Sequence, residues 1–560
     1  MKTVLVGVLV SGCVALSVAV GGCQTGSEAG AQRARLFSGM GDHHRAVTTS
    51  SAKAQRYFDQ GLTWTYAFNH DEAIRSFTKA AELDPTCAMA WWGVALCHGP
   101  HINNPVMPAE RRSAAWEAIE KARALAARAS PVERALIDAL SARYSADLEA
   151  DRAPLDAAYA EAMLSVQRAY PNDADIATLA AESLMDLQPW DLWTYEGAPK
   201  GRATEAVALL ETAMRLDNSH PGALHLYIHA VEASKQPERA VPAADRLRDL
   251  VPAAGHLVHM PSHIDVRVGE WAKASEANTR AAYADKAYRK IVPKHGFYHV
   301  YMVHNNHFLA FSAMMEGRSE VALKAARNMI SGVPPEFLEE AAPLIDPYMS
   351  IEEQVLMRFG RWDEILAQPE PPANLPITAA HRKFARGCAL AAKGDVEGAK
   401  REQVAFRAAV RVVPEGAMMA INKAHDVLTI ADLVLSGEVA YREGREAEAV
   451  AALRDAAARE DRLLYMEPPE WIQPSRHSLG AVLMYFDRAS EAETVYREDL
   501  ERWPENGWSL FGLSEALAAQ PGKAEQAHTA RQRFDTAWER SDTRIHASCL
   551  CIPLAAGTVR

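Results

Sequence analysis

Histidine is concentrated in one stretch of the chain, and its spacing there suits a metal ion. Ten of the 20 histidines lie between His220 and His307. Within that stretch His256, His259 and His263 stand three and four residues apart. On a helix such side chains fall within about 60° of one another and share one face. A single histidine on a helix is usually packed or solvated, whereas three on one face form a set of ligands.

Two neighbouring segments repeat this arrangement. His225, His229 and Glu232 share one helical face, and so do His304 and His307. Imidazole suits Zn, Cu, Ni and Fe, and helical scaffolds build metal sites from side chains on facing helices. The pattern therefore favours a transition-metal site, and it does not distinguish among Zn, Cu, Ni and Fe.

The candidate ligands are more numerous than one ion needs. Those expected to contact the ion directly are His225, His229, His259 and His263. Further ligands, or groups that orient the ligands, are Glu232, His256, His304 and His307. More than four candidates would allow two ions. Two other interpretations stay open: a groove whose imidazoles bind an organic ligand, and histidines that serve packing alone.

Known catalytic motifs are absent from the sequence. It contains no His-Glu-x-x-His, no phosphate loop, no Gly-x-Ser-x-Gly and no dinucleotide fingerprint. A hydrolytic or redox metalloenzyme on the same histidines is the alternative, with Glu232 as candidate general base for a metal-bound water. Binding without catalysis is favoured, because repeat arrays far more often bind than catalyse.

Two polar segments elsewhere could extend a ligand-binding groove. One is the loop at 98–105, and the other follows the run Glu467-Pro-Pro-Glu-Trp471, whose prolines rigidify the entry to a helix. Their candidate residues are His98, His101, Asn103, Asn104 and His477. Near the C-terminus, Cys549-Leu-Cys551 resembles a hook for a soft metal, but two ligands alone are a weak signal.

The elements that must position these residues are paired helices. With Ala54 counted as position 1, the marked residues are Tyr57 at 4, Gly61 at 8, Trp64 at 11, Ala73 at 20, Phe77 at 24, Ala80 at 27 and Pro85 at 32. This order resembles the tetratricopeptide (TPR) repeat. Small residues at positions 8 and 20 let the two helices approach closely, and proline at position 32 ends the second helix.

The same spacing returns further along the chain. Small residues recur 12 positions apart in three pairs, namely Gly387 and Ala399, Gly437 and Ala449, and Gly480 and Ala492. No strand-like alternation of apolar and polar residues accompanies them. We therefore expect an all-α solenoid of TPR helical hairpins, and the resemblance implies a right-handed superhelix.

A proline-rich run divides the expected array. Residues 368–376 carry four prolines and predict a linker over 367–379. The linker separates an N-terminal TPR block at 53–366, which holds the histidines, from a C-terminal TPR block at 380–545. A tail at 546–560 follows.

The resemblance also gives the histidines a location. In TPR proteins, positions 2, 5, 9 and 12 of each first helix line the concave groove, and the histidines take these positions in three successive repeats. A peptide, protein or small-molecule ligand is implied there. Grooves for acidic peptides use mostly Lys, Arg and Asn, whereas neutral imidazoles hold a carboxylate poorly. That departure favours the metal.

The N-terminus predicts export and lipid attachment. A short basic start, an apolar run and Val20-Gly-Gly-Cys23 resemble a bacterial lipoprotein signal peptide over 1–22, with Cys23 as the lipidated residue. Residues 23–52, rich in Gly, Ser and Ala, predict a flexible tether. The expected location is the bacterial cell envelope, anchored to a membrane and facing the periplasm or exterior. A metal-free scaffold for envelope proteins is the third functional alternative.

Composition is that of a folded globular chain. Hydrophobic residues make up 49% of the 560 residues and charged residues 24%, which excludes disorder. The net charge of -12 comes without a basic stripe. We therefore expect no nucleic-acid partner, because phosphate binding requires concentrated positive charge.

Overall fold

The structure, a computed structural model, describes residues 34–552. The predicted signal peptide, Cys23 and the first part of the predicted tether lie outside the described residues. Between 34 and 552 the chain is built from helices, with one antiparallel pair of two-residue strands, β1 (Met418–Met419) and β2 (Asn422–Lys423). The all-α helical-hairpin prediction is confirmed.

Consecutive helices pack against each other as hairpins through the first half of the array. These helices are α1 (Ala52–Tyr66), α2 (His70–Leu83), α3 (Ala88–His98), α4 (Ala109–Leu125), α5 (Pro131–Ser141), α6 (Arg152–Ala169), α7 (Ala174–Met185), α8 (Ala203–Leu216), α9 (Pro221–Val231), α10 (Val241–Leu247), α11 (Gly255–His259), α12 (Pro261–Arg267) and α13 (Trp271–Ile291).

The second half continues in the same way. Its helices are α14 (His299–Met315), α15 (Ser319–Gly332), α16 (Pro335–Glu340), α17 (Ala342–Ile345), α18 (Ile351–Arg358), α19 (Trp362–Ala367), α20 (Pro376–Ala392), α21 (Val396–Val410), α22 (Ala424–Arg442), α23 (Glu446–Glu460), α24 (Ser475–Tyr485), α25 (Ala489–Arg502), α26 (Gly507–Ala518) and α27 (Ala524–Ala537).

Close approach between helices explains the small residues of the repeat. Phe77 on α2 is fully buried between Gly61 on α1 and Gly93 on α3. A Cβ added at Gly61 would lie 2.7 Å from the Phe77 ring, and one at Gly93 would lie 2.6 Å from it. The ring of Tyr496 is enclosed in the same manner by Gly480 and Gly512. The large aromatic thus requires glycine on both neighbouring helices.

Local sequence fixes where the histidine-bearing helices begin. Helix α9 starts at Pro221, and the Nδ1 atom of its N-cap His220 accepts a hydrogen bond from the amide of Ala223 at 3.1 Å. Proline suits the first helical position because its missing N–H would be unpaired there. Pro261 divides the first helix of the next repeat into α11 and α12, since proline cannot donate to the helical ladder.

The segment 34–51 is packed on the first helices, so the prediction of a flexible tether is wrong for this part. The Arg45 Nη1 atom donates to Asp173 at 2.8 Å and to Asp175 at 3.0 Å. The Thr48 hydroxyl donates to Glu133 at 2.6 Å, and the Phe37 ring stacks edge-on against Trp64. Charged and aromatic residues scattered among the small ones provide these contacts.

The predicted linker is a short connection between α19 and α20. The guanidinium of Arg382, which is fully buried, donates to the carbonyl oxygens of Ile365 and Gln368 and holds the connection against α20. Further along, the first residues of the predicted tail pack on the C-terminal helices, with the Ser548 hydroxyl donating to the His477 carbonyl at 2.7 Å.

Contacts distant in sequence join the two predicted blocks. The Trp271 indole donates to the Pro504 carbonyl at 2.8 Å, and the Trp508 indole donates to the Met314 carbonyl at 2.8 Å. One core cluster contains both Phe308 and Trp503. The C-terminal helices therefore close against the histidine-bearing part of the array.

Across residues 34–552, no helix combines the length and apolar content needed to cross a membrane.

Candidate metal centre

Helices α9, α11, α12 and α14 bring six histidines together as two adjacent triads. The first triad is His225, His229 and His256, and the second triad is His259, His263 and His304. Within each triad one nitrogen of every ring lies within 4.8 Å of the others. The triads adjoin, since the His229 and His263 rings are 5.3 Å apart between centroids and the His256 and His259 rings 5.4 Å. The shared helical faces predicted from spacing account for this convergence.

Each triad contains one close contact between ring nitrogens. In the first triad the Nε2 atoms of His225 and His256 are 3.1 Å apart. In the second triad the Nε2 atoms of His259 and His263 are 3.0 Å apart. The His304 ring completes the second triad, with its centroid 4.7 Å from that of His259. Two nitrogens bound to one ion at about 2.0–2.1 Å lie about 3.3 Å apart at tetrahedral angles, so both contacts match a shared ion.

Hydrogen-bond acceptors face the opposite nitrogen of four of the six rings. Glu232 serves two of them: its Oε1 lies 2.9 Å from His229 Nδ1, and its Oε2 lies 2.5 Å from His263 Nδ1. The Tyr66 carbonyl lies 2.7 Å from His225 Nδ1. Such partners fix the tautomer and turn the Nε2 lone pair towards a metal.

Asn278 determines the tautomer of His259. Its Nδ2 atom donates to the Ala274 carbonyl at 2.9 Å, so its Oδ1 atom is the one that faces His259 Nδ1 at 3.0 Å. His259 therefore carries its proton on Nδ1, and His263 carries its own on Nδ1 towards Glu232. The two Nε2 lone pairs then face each other at 3.0 Å, an arrangement that is repulsive unless a cation lies against both.

Burial sets the charge of the cluster. It lowers the pKa of His225, His256, His259 and His304 well below the usual histidine value, and neighbouring imidazoles add to the effect. Burial disfavours an ionised Glu232, but the imidazoles of His263 and His229 outweigh it and lower the pKa of this carboxyl. The lowered pKa values favour the neutral imidazole, the form that binds metals, at these four histidines, next to the Glu232 carboxylate.

Two aromatic residues in a strained backbone conformation pack on the first triad. Phe68 has φ of 55° and Trp190 has φ of 65°, both in the left-handed region. The Phe68 ring centroid lies 4.5 Å from that of His225, and the Trp190 centroid lies 5.0 Å from that of His229. Such conformations cost about 1–3 kcal/mol each and persist where the surroundings hold them, often at functional sites.

The histidines predicted to line the concave groove are enclosed in the structure. His225, His256, His259 and His263 are at most 1% exposed. The segment 465–471 of the C-terminal block lies over them: Glu467 is fully buried, and its Oε2 atom is 3.5 Å from His263 Nδ1. The repeat pattern places side chains on a groove face but says nothing about a distant segment that covers it.

Glu467 is a site residue that spacing alone does not identify. Neither of its oxygens has a hydrogen-bond partner among the described residues. Burial and the charge of Glu232 raise the pKa of Glu467 well above the ordinary glutamate value. The raised pKa favours the protonated carboxyl, which lies beside the second triad. The only signal in the sequence is an acidic residue directly before a Pro-Pro pair.

A cavity adjoins each triad. One of about 440 Å³ is lined by His304, His307, Tyr348, Glu467 and Glu470 beside the second triad. Another of about 310 Å³ is lined by Trp190, His229, Glu232 and Tyr465 beside the first triad. Both figures include space that is open to solvent; the enclosed part is about 30 Å³ in the first and about 10 Å³ in the second, which is room for a water-sized ligand.

The remaining predicted residues divide into near and distant positions. His307 lines the 440 Å³ cavity without joining a triad. His101 stacks on Phe68, with ring centroids 4.4 Å apart, and so lies behind the first triad. His98 ends α3, whereas Asn103 and Asn104 belong to the turn that follows, in which Asn104 pairs with His101 through the backbone. Neither His98 nor His101 belongs to a triad.

His477 is not part of the centre, contrary to the prediction of a common groove. Its Nε2 atom is 2.9 Å from Asp499 Oδ2, and its Nδ1 atom is 2.8 Å from Arg358. Both ring nitrogens are thus paired, one with Asp499 of the C-terminal block and the other with Arg358 of the N-terminal block, so the residue has a packing role between the blocks.

A further group, His43, Asp175 and His220, has the composition of a metal site but is already satisfied. Asp175 accepts hydrogen bonds from the Tyr66 hydroxyl at 2.6 Å and from Arg45 at 3.0 Å, in addition to both imidazoles. The guanidinium supplies the positive charge that a cation would bring. We interpret this group as the anchor of the segment 34–51.

Comparisons with known proteins give no close relative. No family model matches the chain, and no curated protein matches it. Solved structures that align with it include a human IFIT1 dimer with m7Gppp-AAAA, at 12% identity over 88% of this chain and 91% of that one, with a TM-score of 0.32. Cut9 in the APC/C hetero-tetramer Cut9-Hcn1 aligns at 12% identity over 86% and 76%, with a TM-score of 0.31. Yeast Tom70 aligns at 12% identity over 88% and 93%, with a TM-score of 0.28. Because the scores are low, the TPR-type fold rests on the chain's own hairpins and glycine spacing.

Proposed function

We propose that the protein binds transition-metal ions in a buried centre of two adjacent three-imidazole sites. The observation that carries the proposal is the 3.0 Å contact between His259 Nε2 and His263 Nε2, whose protons are both engaged on the opposite nitrogen. A cation between the two lone pairs removes the repulsion. The six-histidine set extends the four direct ligands expected from the sequence by His256 and His304.

Glu232 acts in this proposal as a positioning residue and not as a general base. Both of its oxygens are engaged by imidazole Nδ1 atoms, one from each triad. A carboxylate in this position orients its ligands and raises their basicity. Its negative charge also offsets part of the charge of the bound ions.

Three protein ligands leave a coordination position free for a small molecule or water, as in catalytic zinc sites. The cavities beside His304 and His229 give such a ligand room. Imidazole donors suit Zn, Cu, Ni and Fe. Because the centre is buried, it does not favour a peptide or protein as its direct ligand.

Metal content of the full chain, purified without a histidine tag, tests this function. Inductively coupled plasma mass spectrometry measures the metal in two samples. One is the protein as isolated, and the other is the protein stripped of metal and reloaded with Zn²⁺, Cu²⁺, Ni²⁺ or Fe²⁺. We expect about two ions per chain with at least one of these metals. His225→Gln with His256→Gln, and separately His259→Gln with His263→Gln, should each reduce the content by about one.

His528→Gln is the matched control, because His528 is exposed on α27 and lies outside both triads. It should leave the metal content unchanged. Less than a tenth of an equivalent in the wild type under every loading condition would contradict the metal centre and leave a metal-free scaffold as the function. Unchanged content in both double variants would place the ions elsewhere.

A metal-dependent enzyme is the second candidate, and Glu467 is the observation that favours it. This carboxyl lies unpaired beside the second triad, where burial and the charge of Glu232 raise its pKa and where it could exchange a proton with a small ligand in the cavity. Azide added to the copper-loaded protein reports the free position through a ligand-to-metal absorption band. We expect azide to bind the wild type, and Glu467→Gln to retain the metal but change the pH dependence of azide binding. A copper centre that rejects azide at every pH would argue for a closed, structural site.

We further propose, from the sequence, that Cys23 is lipidated and holds the protein on a membrane of the bacterial cell envelope. The lipobox-like ending of the apolar run supports this. Mass spectrometry of the membrane fraction should find a diacylated Cys23, and Cys23→Ser should move the protein to the soluble fraction. An unmodified Cys23 in the membrane fraction would contradict the anchor.

A further inference from the structure

A cavity between the C-terminal block, α18 and the segment after α27 holds a second set of side chains that can bind a metal, separate from the six histidines. Its lining includes Cys549, Cys551, Glu438, His381 and Cys388. None of the six triad histidines lines this cavity. Helices α20 and α22 provide Glu438, His381 and Cys388, and the segment after α27 provides the other two cysteines.

Buried polar groups without partners face this cavity. Glu438 is 1% exposed, and neither of its carboxylate oxygens has a hydrogen-bond partner among the described residues. His381 is also 1% exposed, and both of its ring nitrogens are unpartnered in the same sense. Buried polar side chains are nearly always paired, and an unpaired one costs about 1–3 kcal/mol. Two such residues on one cavity indicate a ligand that they contact.

The cysteines lie within ligand distance of Glu438. The Sγ atoms of Cys549 and Cys551 and one oxygen of Glu438 are all within 4.8 Å of one another. In the structure the two cysteines form a disulfide. The donor set therefore becomes available only after reduction, because a metal binds thiolates.

The segment that carries the cysteines is held against the helices at two points and is braced by one contact within itself. Arg442, one turn beyond Glu438 on α22, donates to the Cys551 carbonyl. The Ser548 hydroxyl donates to the His477 carbonyl and contacts the Tyr496 hydroxyl at 2.7 Å. The His546 Nε2 atom contacts the Ile552 carbonyl at 2.7 Å. These contacts do not involve the thiol groups, so reduction leaves the segment anchored.

We propose that Cys549, Cys551 and Glu438 form a redox-gated site for a thiophilic metal ion such as Zn²⁺, Cu⁺ or Cd²⁺, with His381 as a further donor on the same cavity. A dithiol reductant delivers two electrons and two protons to the disulfide and is itself oxidised to a disulfide. The two thiols then release their protons to solvent as the ion binds. Thiolates select soft and borderline metals, which distinguishes this site from the imidazole centre.

Cadmium binding by the full chain tests the site. Reduced protein should show a thiolate-to-cadmium absorption band and bind one more Cd²⁺ than protein kept oxidised. The imidazole centre contains no thiolate and gives no such band. The band therefore tests the cysteine site independently of whether the imidazole centre binds metal. Cys549→Ser with Cys551→Ser should abolish the band, and Glu438→Gln should weaken Cd²⁺ binding at least tenfold.

Cys87→Ser is the matched control, because Cys87 is a free buried thiol in another part of the core. It should leave the band intact. Equal cadmium content in oxidised and reduced protein, or a band that survives the double substitution, would overturn the proposal.

A second measurement on the wild-type protein tests the site even if the double cysteine variant fails to fold. In reduced wild-type protein, Cd²⁺ should slow the alkylation of Cys549 and Cys551 by iodoacetamide more than tenfold, as measured by peptide mass spectrometry. Unchanged alkylation rates would mean that the pair exchanges disulfides without binding metal, and would also overturn the proposal.

Discussion

Glu232 is the single residue that both triads share, and its substitution should affect both. Glu232→Gln keeps the shape but replaces one oxygen by an amide that donates, so only one of His229 and His263 retains an acceptor. Loss of such a partner typically lowers metal affinity roughly 10–100-fold. We expect a loss of this size in chelator-competition titrations, with the far-ultraviolet circular dichroism unchanged. Wild-type affinity in the variant would show that Glu232 does not orient the ligands.

The buried side chain of His307, next to the centre, allows the effect of burial on a histidine pKa to be measured through the pH dependence of stability. Burial lowers the pKa of His307 to about 4, below the unfolded value of about 6.5. The folded state therefore resists protonation, and the stability associated with the neutral ring is lost as the pH falls below about 6.5. The loss is about 1.4 kcal/mol per pH unit.

His307→Gln should escape this loss because glutamine does not titrate. Between pH 7 and pH 5 the variant should gain about 2 kcal/mol in free energy of unfolding relative to the wild type. Urea titrations of the metal-free protein at both pH values give the difference. His528→Gln, at an exposed position, serves as the control and should change little. A difference for His307→Gln that does not vary with pH would contradict a neutral, buried ring.

At the level of the helices, the packing of Phe77 predicts that alanine in place of either neighbouring glycine destabilises the fold. Gly61→Ala and Gly93→Ala each place a methyl group within van der Waals overlap of the Phe77 ring. Overpacking of this kind costs about 1–3 kcal/mol. Thermal or urea denaturation should show that loss for either variant. Gly416→Ala, where an added Cβ meets nothing within 4 Å, should be near neutral.

Helix-scale features were largely predictable from the sequence, because they depend on neighbouring residues. The glycine and phenylalanine positions predict the close helical pairs, and offsets of three and four predict that His256, His259 and His263 converge. The division of that helix at Pro261 also depends only on the local sequence, because proline cannot donate a helical hydrogen bond. The enclosure of the site was not predictable, because Glu467 and the segment 34–51 find their partners through tertiary contacts that no local period encodes.

For the whole molecule, the decisive feature is that the C-terminal helices complete the histidine centre. Glu467 comes from the connection between α23 and α24, yet it lies against His263 on α12. The core cluster that contains Phe308 extends to Trp503 and Trp508. Metal binding and closure of the array should therefore be coupled, so that ions stabilise the closed form and opening of the array releases them.

Trp508 is the residue on which this coupling is best tested. It is fully buried, donates to the Met314 carbonyl at 2.8 Å, and has the Arg358 guanidinium 3.6 Å above its ring. Trp508→Ala should lower the free energy of unfolding by about 3–5 kcal/mol. In urea titrations of the wild type, metal release and the loss of circular dichroism should coincide, because the contacts that close the array also enclose the histidine centre.

In Trp508→Ala, metal release should move to lower urea than the main loss of helix, because the C-terminal helices can then separate while the others persist. Trp116→Ala, at a half-buried position on α4 away from this contact, should shift both signals together. Separate transitions already present in the wild type would contradict closure, and would mean that the two blocks unfold independently, as the proline-rich run first suggests.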